Sequence, residues 1–406
     1  MAILKVNTIS GIGTEGPVFD GDIEFTSQNF LTLPKGNTIE RFPDFKGAPA
    51  ASARGLFGGG AQPFSTKLNL IEFITISTTG NAQDFGDLTD ARGAIFGCSS
   101  HVRGVFAGGN DGSNNVNTID FVNIETTGDA KDFGDLSVVA YNGSGASNST
   151  RGVFALGGAP TYSDSIDFIT IFTGGNGLNF GDLTQSRDQL GSCASVTRGL
   201  FAGGLITPTP AVDLTNIIDF VTISTTANAI DFGDLLQGGS NGIRRCGGLS
   251  NATRGLFAGG LITPTPAVNL TNIIDFVTIS TTANATDFGD LLQGGSNGIR
   301  RCGGLSNATR GLFAGGESTG AQSNIISFVT IATTGDAQDF GDLSAAVSQA
   351  DNGASSSVRG VFHLSSPANT TLHFVTIDTL GNSTDFGDMT SASTVAGMSN
   401  GHGGLG

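Results

Sequence analysis

Short runs of Val, Ile, Phe and Thr alternate along the chain with Gly, Asn and Ser, and apolar residues do not recur at helical spacing. Within 92–136, a run of small residues leads into the segment 103–109, the apolar run 119–124, a turn at 126–129 and a last run to 136. β-Branched and aromatic runs between turn residues predict strands. The run 119–124 has apolar residues on both faces, as expected for a sheet between two neighbours. We predict units of four antiparallel strands, called A to D in chain order.

This unit recurs along the chain. An Arg-Gly-(Leu/Val)-Phe motif begins predicted strand B, and a Phe-Gly-Asp motif lies in predicted strand D of every copy. The arginines that mark the repeats are Arg54, Arg103, Arg151, Arg198, Arg254, Arg310 and Arg359. A repeat of about 50 residues is typical of closed or stacked architectures. Seven four-stranded blades in a ring leave no exposed sheet edge, so the sequence predicts an all-β, seven-bladed β-propeller over residues 46–406.

The Phe-Ala-Gly-Gly segment 106–109 and its six counterparts resemble the kelch-type β-propeller repeat. The chain departs from that family by lacking Trp, and Phe133 and its equivalents stand where a Trp is expected. The tail 399–405 aligns with 250–256, so the chain ends after an eighth strand A without a strand B. We therefore predict that residues 388–403 pair with the first blade and close the ring.

Antiparallel connectivity places the A–B and C–D turns on one face of the disc, the uniform face, and the B–C and D–A loops on the other, the variable face. The C–D turns are nearly identical, whereas the B–C loops 110–118, 159–165, 205–216 and 317–324 share little sequence. Loops on a rigid scaffold commonly carry binding sites, so we expect the variable face to bind a partner. The alternative is that these loops vary because nothing constrains them.

Residues 198–253 and 254–309 are one unit present twice, differing at only two positions. The duplication places two apolar, proline-stiffened loops and two arginine pairs side by side. The candidate binding residues are Leu205, Ile206, Pro208, Pro210, Arg244 and Arg245, with their copies Leu261, Ile262, Pro264, Pro266, Arg300 and Arg301. An anionic glycan or a protein could bind there. Alternatively, the arginines pair with local carboxylates and the loops pack together.

The motif arginines and the first Asp of Asp-Phe-Gly-Asp both begin strands on the uniform face. We predict structural ion pairs between these two sets, among them Arg103, Arg151 and Arg254 with Asp84, Asp132 and Asp231. Such charge-assisted bonds fix geometry more than they add stability. A motif present in seven copies indicates a scaffold, because a catalytic site is normally unique.

Charge and composition narrow the possible partners. The chain has 35 acidic against 19 basic residues and a formal net charge of −16, which argues against nucleic-acid binding. It has neither a signal-peptide-like start nor a run approaching the roughly 20 apolar residues of a membrane span, so we expect no membrane insertion and folding in a reducing cytoplasm. The four cysteines lie in separate repeats, as expected for single buried residues rather than disulfides or a zinc site.

Enzymatic chemistry has little support in the sequence. A copper radical oxidase of the kelch class would need Tyr and His ligands, but the chain has only Tyr141 and Tyr162 and four histidines. His363 and His373 flank a B–C hairpin and could face each other, yet a third ligand is missing. We predict no catalytic residue, no cofactor and no metal; a carbohydrate-active propeller enzyme is the weakest alternative.

Residues 1–45 do not follow the repeat and are too few to form a core of their own. Their segments 5–10, 16–19 and 30–34 resemble the N-terminal attachment segments of tailed-phage fibre and other virion proteins, especially those of phages infecting marine bacteria. The resemblance implies a virion structural protein that is assembled in the host cytoplasm and anchored to other virion proteins through 1–45. The propeller would then be an adhesin for a host-surface glycan or protein, or a decoration, and could self-associate. The main alternative is a cellular kelch-like interaction scaffold.

Overall fold

In a computed structural model the described residues are 53–62, 66–158, 161–206, 213–236, 242–262, 269–348, 353–364, 369–391 and 396–400. The chain divides into two compact units, Met1–Phe45 and Lys46–Gly406. All of the described residues belong to the second unit. The proposed anchor segment 1–45 therefore lies outside them.

The second unit is a seven-bladed β-propeller, and each blade has four antiparallel strands in the order A-B-C-D, which confirms the predicted fold class. Strands A to D are Ala396–Ser399, Arg54–Gly58, Leu70–Thr75 and Gln83–Asp87 in blade 1; Phe96–Ser99, Arg103–Ala107, Thr118–Asn123 and Lys131–Asp135 in blade 2; Ser144–Ser147, Arg151–Ala155, Ser165–Thr170 and Leu178–Asp182 in blade 3; Gly191–Ala194, Arg198–Ala202, Ile217–Thr222 and Ile230–Asp234 in blade 4. They are Gly247–Ser250, Arg254–Leu261, Leu270–Thr278 and Thr286–Asp290 in blade 5; Gly303–Ser306, Arg310–Ala314, Ala321–Thr330 and Gln338–Val347 in blade 6; Gly353–Ser355, Arg359–His363, Thr371–Thr376 and Thr384–Asp388 in blade 7. Short additional strands at Ala61–Gln62, Thr66–Lys67 and Glu317–Ser318 lie in B–C loops, and a 3₁₀ turn spans Gly295–Asn297.

The strands A form the inner wall of the ring, since each contacts the strand A of the next blade all the way round. Serine hydroxyls tie these strands together: Ser147 donates to the Ser99 carbonyl at 3.2 Å, and Ser99 to the Ser399 carbonyl at 2.9 Å. The ring closes on blade 1 as predicted, through Ala396–Ser399, which pairs with Arg54–Gly58. Asp388, the first residue of the predicted closing segment, instead ends strand D of blade 7. Residues 392–395 and 401–403 of the predicted closing segment lie outside the described residues.

The core lies between blades and is built largely from phenylalanine. The Phe of each Arg-Gly-(Leu/Val)-Phe motif is fully buried. The Phe of each Phe-Gly-Asp motif meets a strand-C Phe of its own blade edge-on, as Phe133 does with Phe121 at a ring-centre distance of 5.7 Å. Edge-to-face pairs contribute energy beyond simple area burial. Three such positions in seven blades account for most of the 29 phenylalanines of the chain.

The Gly and the second Asp of Phe-Gly-Asp join neighbouring blades. Gly134 has φ +142°, and a Cβ added there would lie 2.5 Å from the Gly175 carbonyl carbon in the C–D turn of the next blade. The Gly175 N–H donates to the Phe133 carbonyl at 2.7 Å, and the Asp135 N–H to Asn176 Oδ1 at 3.1 Å. The motif therefore supplies core packing and a backbone contact between blades.

The predicted Arg–Asp ion pairs are wrong for the residues that the structure describes. Each motif guanidinium lies over a strand-C Phe of its own blade, 4.2 Å from the ring centre for Arg151 and Phe168. Arg151 Nη1 donates to the Ile223 carbonyl of the next blade at 3.0 Å. The other six motif arginines, including Arg103 and Arg254, repeat this arrangement.

The aspartates have other partners. Oδ1 of Asp84 and of Asp231 accepts the N–H of the Gly two residues later in its own strand. The described ion pairs within 4 Å involve neither Asp84, Asp132 and Asp231 nor the seven motif arginines. The arginine binds its strand-C ring and a carbonyl just after the next strand C, so the junction is made by cation–π contact and hydrogen bonding.

Candidate ligand-binding pocket

A cavity of about 670 Å³ lies on the propeller axis at the end where the D–A loops enter strands A. Residues from blades 1 to 6 line it, so it is formed by the ring rather than by one blade. Its position at this end of strands A places it on the variable face. Its volume is within the range of about 300–1,000 Å³ that is typical of small-molecule sites.

One equivalent residue of each of blades 2 to 6 lies at this cavity, just before strand A. All five have positive φ, between 51° and 59°, although none is a glycine: Ala94, Asn142, Gln189, Arg245 and Arg301. Left-handed backbone is uncommon for such residues. In each blade the residue before it forms a β-bridge with the end of strand B or the B–C loop of the same blade, as Arg244 does with Leu261. This bridge holds the left-handed residue in place. The fold thus holds one side chain per blade at the cavity, and the sequence decides its chemistry.

The two arginines of the first copy share a neutral partner. Arg245 Nε donates to Gln189 Oε1 at 2.6 Å, and Arg244 Nη1 donates to the same oxygen at 3.4 Å. Gln189 Nε2 donates in turn to Oδ2 of the buried Asp188 at 3.4 Å. The amide therefore stands between the arginines and this carboxylate.

The arginines of the second copy have a carboxylate partner of their own. Arg300 Nη2 lies 3.1 Å from Glu317 Oε1, and Arg301 Nη1 lies 3.8 Å from Glu317 Oε2. In blade 5 the position of Glu317 is held by Leu261, which pairs with Arg244 as Glu317 pairs with Arg300. The expectation of local ion pairs is therefore met for one copy of the duplicated unit.

The four arginines act on one another electrostatically. Burial and the neighbouring charges of Arg301, Arg244 and Arg300 lower the pKa of Arg245 to about 10. Burial also lowers the pKa of Arg244. Both remain cations near neutral pH, so the variable end of the axis holds a group of positive charges that repel one another.

Both tyrosines of the chain lie near this cluster. Tyr162 packs against the buried Leu205 and Leu214. Burial, and next the charge of Asp188, raises the pKa of Tyr141 and of Tyr162. Sequence reasoning considered the tyrosines only as copper ligands and missed Asp188 and Gln189. Gln189 stands two residues before its strand A, the position that Arg245 and Arg301 hold in blades 5 and 6. Alignment of the repeats would therefore have identified it.

The apolar half of the predicted patch differs from expectation. Leu205 and Leu261 are 5% and 3% exposed, so they belong to the scaffold and are not available to a partner. Each pairs with the D–A loop of its own blade, which turns its side chain inward. Ile206 and Ile262 are half-buried, and Ile262 packs against the core between blades 4 and 5. Pro208, Pro210, Pro264 and Pro266 lie outside the described residues.

A second set of polar residues, also missed from sequence, is buried in strands C. Asp120 accepts hydrogen bonds from the backbone and hydroxyl of Thr89 in the preceding D–A loop, and its Oδ2 lies 3.0 Å from Arg92 Nη2. Asp219 and Arg187 form a like pair at 2.9 Å. All four side chains are fully buried. The recurring Ile-Asp-Phe sequence, which places an Asp in an otherwise apolar strand, could have revealed these buried carboxylates. Their bonds to the preceding D–A loops join neighbouring blades.

The two histidines do not face each other. His363 pairs with Leu372 and His373 with Phe362, so the histidines point to opposite faces of the sheet because side chains alternate along a strand. His373 is hydrogen-bonded to the Ser344 and Ser383 hydroxyls. Within the described residues, no three His, Cys, Asp or Glu side chains are grouped as a metal would require, and no helix is long and apolar enough to span a membrane.

The four cysteines are free thiols, as predicted. Cys98 and Cys193 lie within strands A, and Cys246 and Cys302 immediately precede strands A and line the cavity. Burial raises the pKa of the Cys98 and Cys246 thiols to about 12. They are therefore protonated and unreactive at neutral pH.

Comparison with known proteins identifies the fold alone. No family model matches the sequence, and no curated protein matches it. Among solved structures, that of YjhT is similar with a TM-score of 0.53 and 10% sequence identity, over 70% of this chain and 96% of YjhT. YjhT is also a propeller. At this identity the likeness supports the β-propeller architecture and carries no function with it.

Proposed function

We propose that this chain is a non-enzymatic virion structural protein of a tailed phage, in which residues 1–45 attach a binding propeller to the particle. The observation that carries the binding role is the difference between the two faces. The repeated Arg, Phe and Phe-Gly-Asp residues are engaged in contacts within and between blades. The residues that line the cavity on the variable face instead differ between most blades, although blades 5 and 6 contribute the same arginine and cysteine.

The chemistry of the cavity favours binding over catalysis. Its side chains include the Arg245 and Arg301 guanidinium groups, the Asn142 and Gln189 amides and serine hydroxyls. Such groups orient a ligand but are poor proton acceptors at neutral pH. The neighbouring Asp188 carboxylate is already bonded to the Gln189 backbone N–H at 2.7 Å and to its side-chain amide.

The virion assignment is supported by the resemblance of residues 1–45 to phage attachment segments. In this role the segment binds other virion proteins and the propeller is displayed as an adhesin or decoration. The division of the chain at Phe45 separates the attachment segment from the repeats.

The test compares phage particles assembled with the full chain and with residues 46–406 alone, followed by immunodetection on purified particles. We expect the shortened chain to be missing from particles while its β-sheet circular dichroism and cooperative thermal transition persist. Undiminished incorporation would refute the anchor. Absence of the full chain from particles would favour the cellular interaction scaffold. A glycan-hydrolysis screen tests the third candidate, and robust turnover would overturn the non-enzymatic assignment.

A further inference from the structure

We propose that the axial cavity binds a carboxylated saccharide, with the sugar carboxylate held between Arg245 and Arg301. The inference deepens the proposed binding function and rests on it for the identity of the binding face. It does not depend on attachment to a particle, because all residues that line the cavity belong to the propeller, residues 46–406.

Positive charge is concentrated around the axial cavity. In a chain with a net charge of −16, Arg245, Arg301 and Lys67 line one cavity and Arg244 and Arg300 adjoin two of these residues. The fold does not require a cation here, because Ala94 and Asn142 adopt the same backbone conformation at the equivalent positions of blades 2 and 3. A bound anion would relieve the mutual repulsion that helps to lower the pKa of Arg245.

Arg245 and Arg301 are placed so that both can reach one ligand. Arg245 and Arg301 occupy equivalent positions of adjacent blades, and the Arg301 N–H donates to the Arg245 carbonyl at 3.3 Å, so their backbones are neighbours. Among the described residues, the side-chain hydrogen bond of Arg245 is the one from Nε to Gln189, so its two Nη groups are left for a ligand. A guanidinium presents paired N–H groups that match the two oxygens of a carboxylate. The duplication of the 56-residue unit thus created a two-armed anion site.

The remaining walls favour a sugar. Ser144 Oγ donates to Ser192 Oγ at 2.7 Å, and the Asn142 amide and glycines before and within strands A add side-chain and backbone polar groups. These groups can exchange hydrogen bonds with sugar hydroxyls on several sides at once. The lining groups come from six blades arranged around one axis, which suits a compact ligand better than an extended acidic peptide.

The experiment is isothermal titration calorimetry of the full chain with digalacturonate, its neutral counterpart digalactose, an acidic Glu decapeptide and sodium sulfate. We expect saturable binding of digalacturonate that weakens as salt is raised, and at least tenfold weaker binding of the other three. Arg245→Gln and Arg301→Gln should each weaken digalacturonate binding by about tenfold, the loss expected for one charged hydrogen-bonding group. Lys131→Gln removes one exposed cation from the outer strand of blade 2 and should leave binding within twofold.

Thermal unfolding of each variant shows whether the propeller is intact. Equal affinity for digalacturonate and digalactose, or affinity unchanged by both arginine substitutions, would overturn the carboxylate clamp. Sulfate binding as tight as digalacturonate would overturn the saccharide assignment, and tighter binding of the peptide would replace it with a protein ligand. A lack of saturable digalacturonate binding would refute the inference even if the chain is found on particles. Loss of particle attachment alone would leave the inference standing.

Discussion

The Asp388 N–H in blade 7 donates to Asn81 Oδ1 in blade 1 at 3.1 Å. The same bond, 3.0–3.2 Å long, joins the second Asp of each Phe-Gly-Asp motif to the Asn or Asp in the next C–D turn at the other six junctions. The junction between the last and first blades therefore has the same chemistry as the rest. Two contacts therefore close the ring. One is this hydrogen bond, and the other is the pairing of Ala396–Ser399 with strand B of blade 1.

Asn81→Ala should weaken this closing junction. The substitution leaves the Asp388 N–H without its side-chain acceptor and should lower the free energy of unfolding by about 1 kcal/mol. Thr79→Ala, at an exposed position in the same turn, should change stability by less than about 0.5 kcal/mol. Urea unfolding followed by circular dichroism measures both, and equal effects would show that Asn81 adds nothing to closure.

The glycine of Phe-Gly-Asp allows a matched test of close approach. Gly134 and Gly175 both have φ +142° and lie on opposite sides of one junction. A Cβ at Gly134 would lie 2.5 Å from backbone, whereas one at Gly175 would meet no atom within 4 Å. Gly175→Ala should cost about 1–3 kcal/mol from backbone strain alone. Gly134→Ala should cost at least about 2 kcal/mol more. Similar losses for both would show that the blades adjust to the added methyl group.

The motif arginine is expected to act through its ring and carbonyl contacts. Arg151→Met retains an extended side chain over Phe168 but removes the charge and the donor to the Ile223 carbonyl. We expect a loss of about 1–3 kcal/mol. Asp132→Asn should cost less than about 0.5 kcal/mol, because Asp132 makes no ion pair with a motif arginine in the described structure. A loss for Asp132→Asn as large as that for Arg151→Met would restore the ion-pair interpretation.

Arg151 and Arg245 show how far the sequence could be interpreted. The strands and blades could be predicted because turn residues and apolar runs recur with every repeat, so each copy supports the others. The partner of Arg151 could not be predicted, since a motif shows which residue recurs but not which atom of the next blade it touches. Part of the site was predicted, because each copy of the duplicated unit carries a pair of arginines. The left-handed backbone at Arg245 had no sequence signal, because arginine seldom adopts it.

The buried strand-C carboxylates differ in whether they neutralise a cation. Asp120 accepts from Thr89 and pairs with Arg92, whereas Asp167 accepts only from the Ser137 backbone and hydroxyl among the bonds described for it. Asp120→Asn leaves a fully buried guanidinium without its counter-charge and should lower the unfolding free energy by about 3 kcal/mol or more. Asp167→Asn keeps the shape and should cost about 1 kcal/mol or less. Chemical denaturation at pH 7 measures the difference, and equal losses would show that Arg92 is stabilised by other groups.

His363 should make stability depend on pH. It replaces the alanine found at this strand-B position in blades 2 to 6, is fully buried, and lies with its ring centre 6.5 Å from that of Phe57. Burial lowers its pKa from the ordinary 6.5 to about 4; the nearby Asn369 backbone opposes this shift but lies outside hydrogen-bonding geometry. The unfolded chain therefore takes up a proton at higher pH than the folded chain.

Because the pKa is lower in the folded state, the stability contribution of neutral His363 is fully present above pH 6.5 and is lost as the pH falls towards about 4. The slope from this one group should approach about 1.4 kcal/mol per pH unit in that window. His363→Ala should flatten the slope, whatever its effect at pH 7 from the lost volume. His373, whose pKa burial also lowers, leaves a residual slope in the variant. Urea unfolding at intervals from pH 7.5 to 4 tests this, and parallel curves for the two proteins would show that His363 does not titrate as its burial requires.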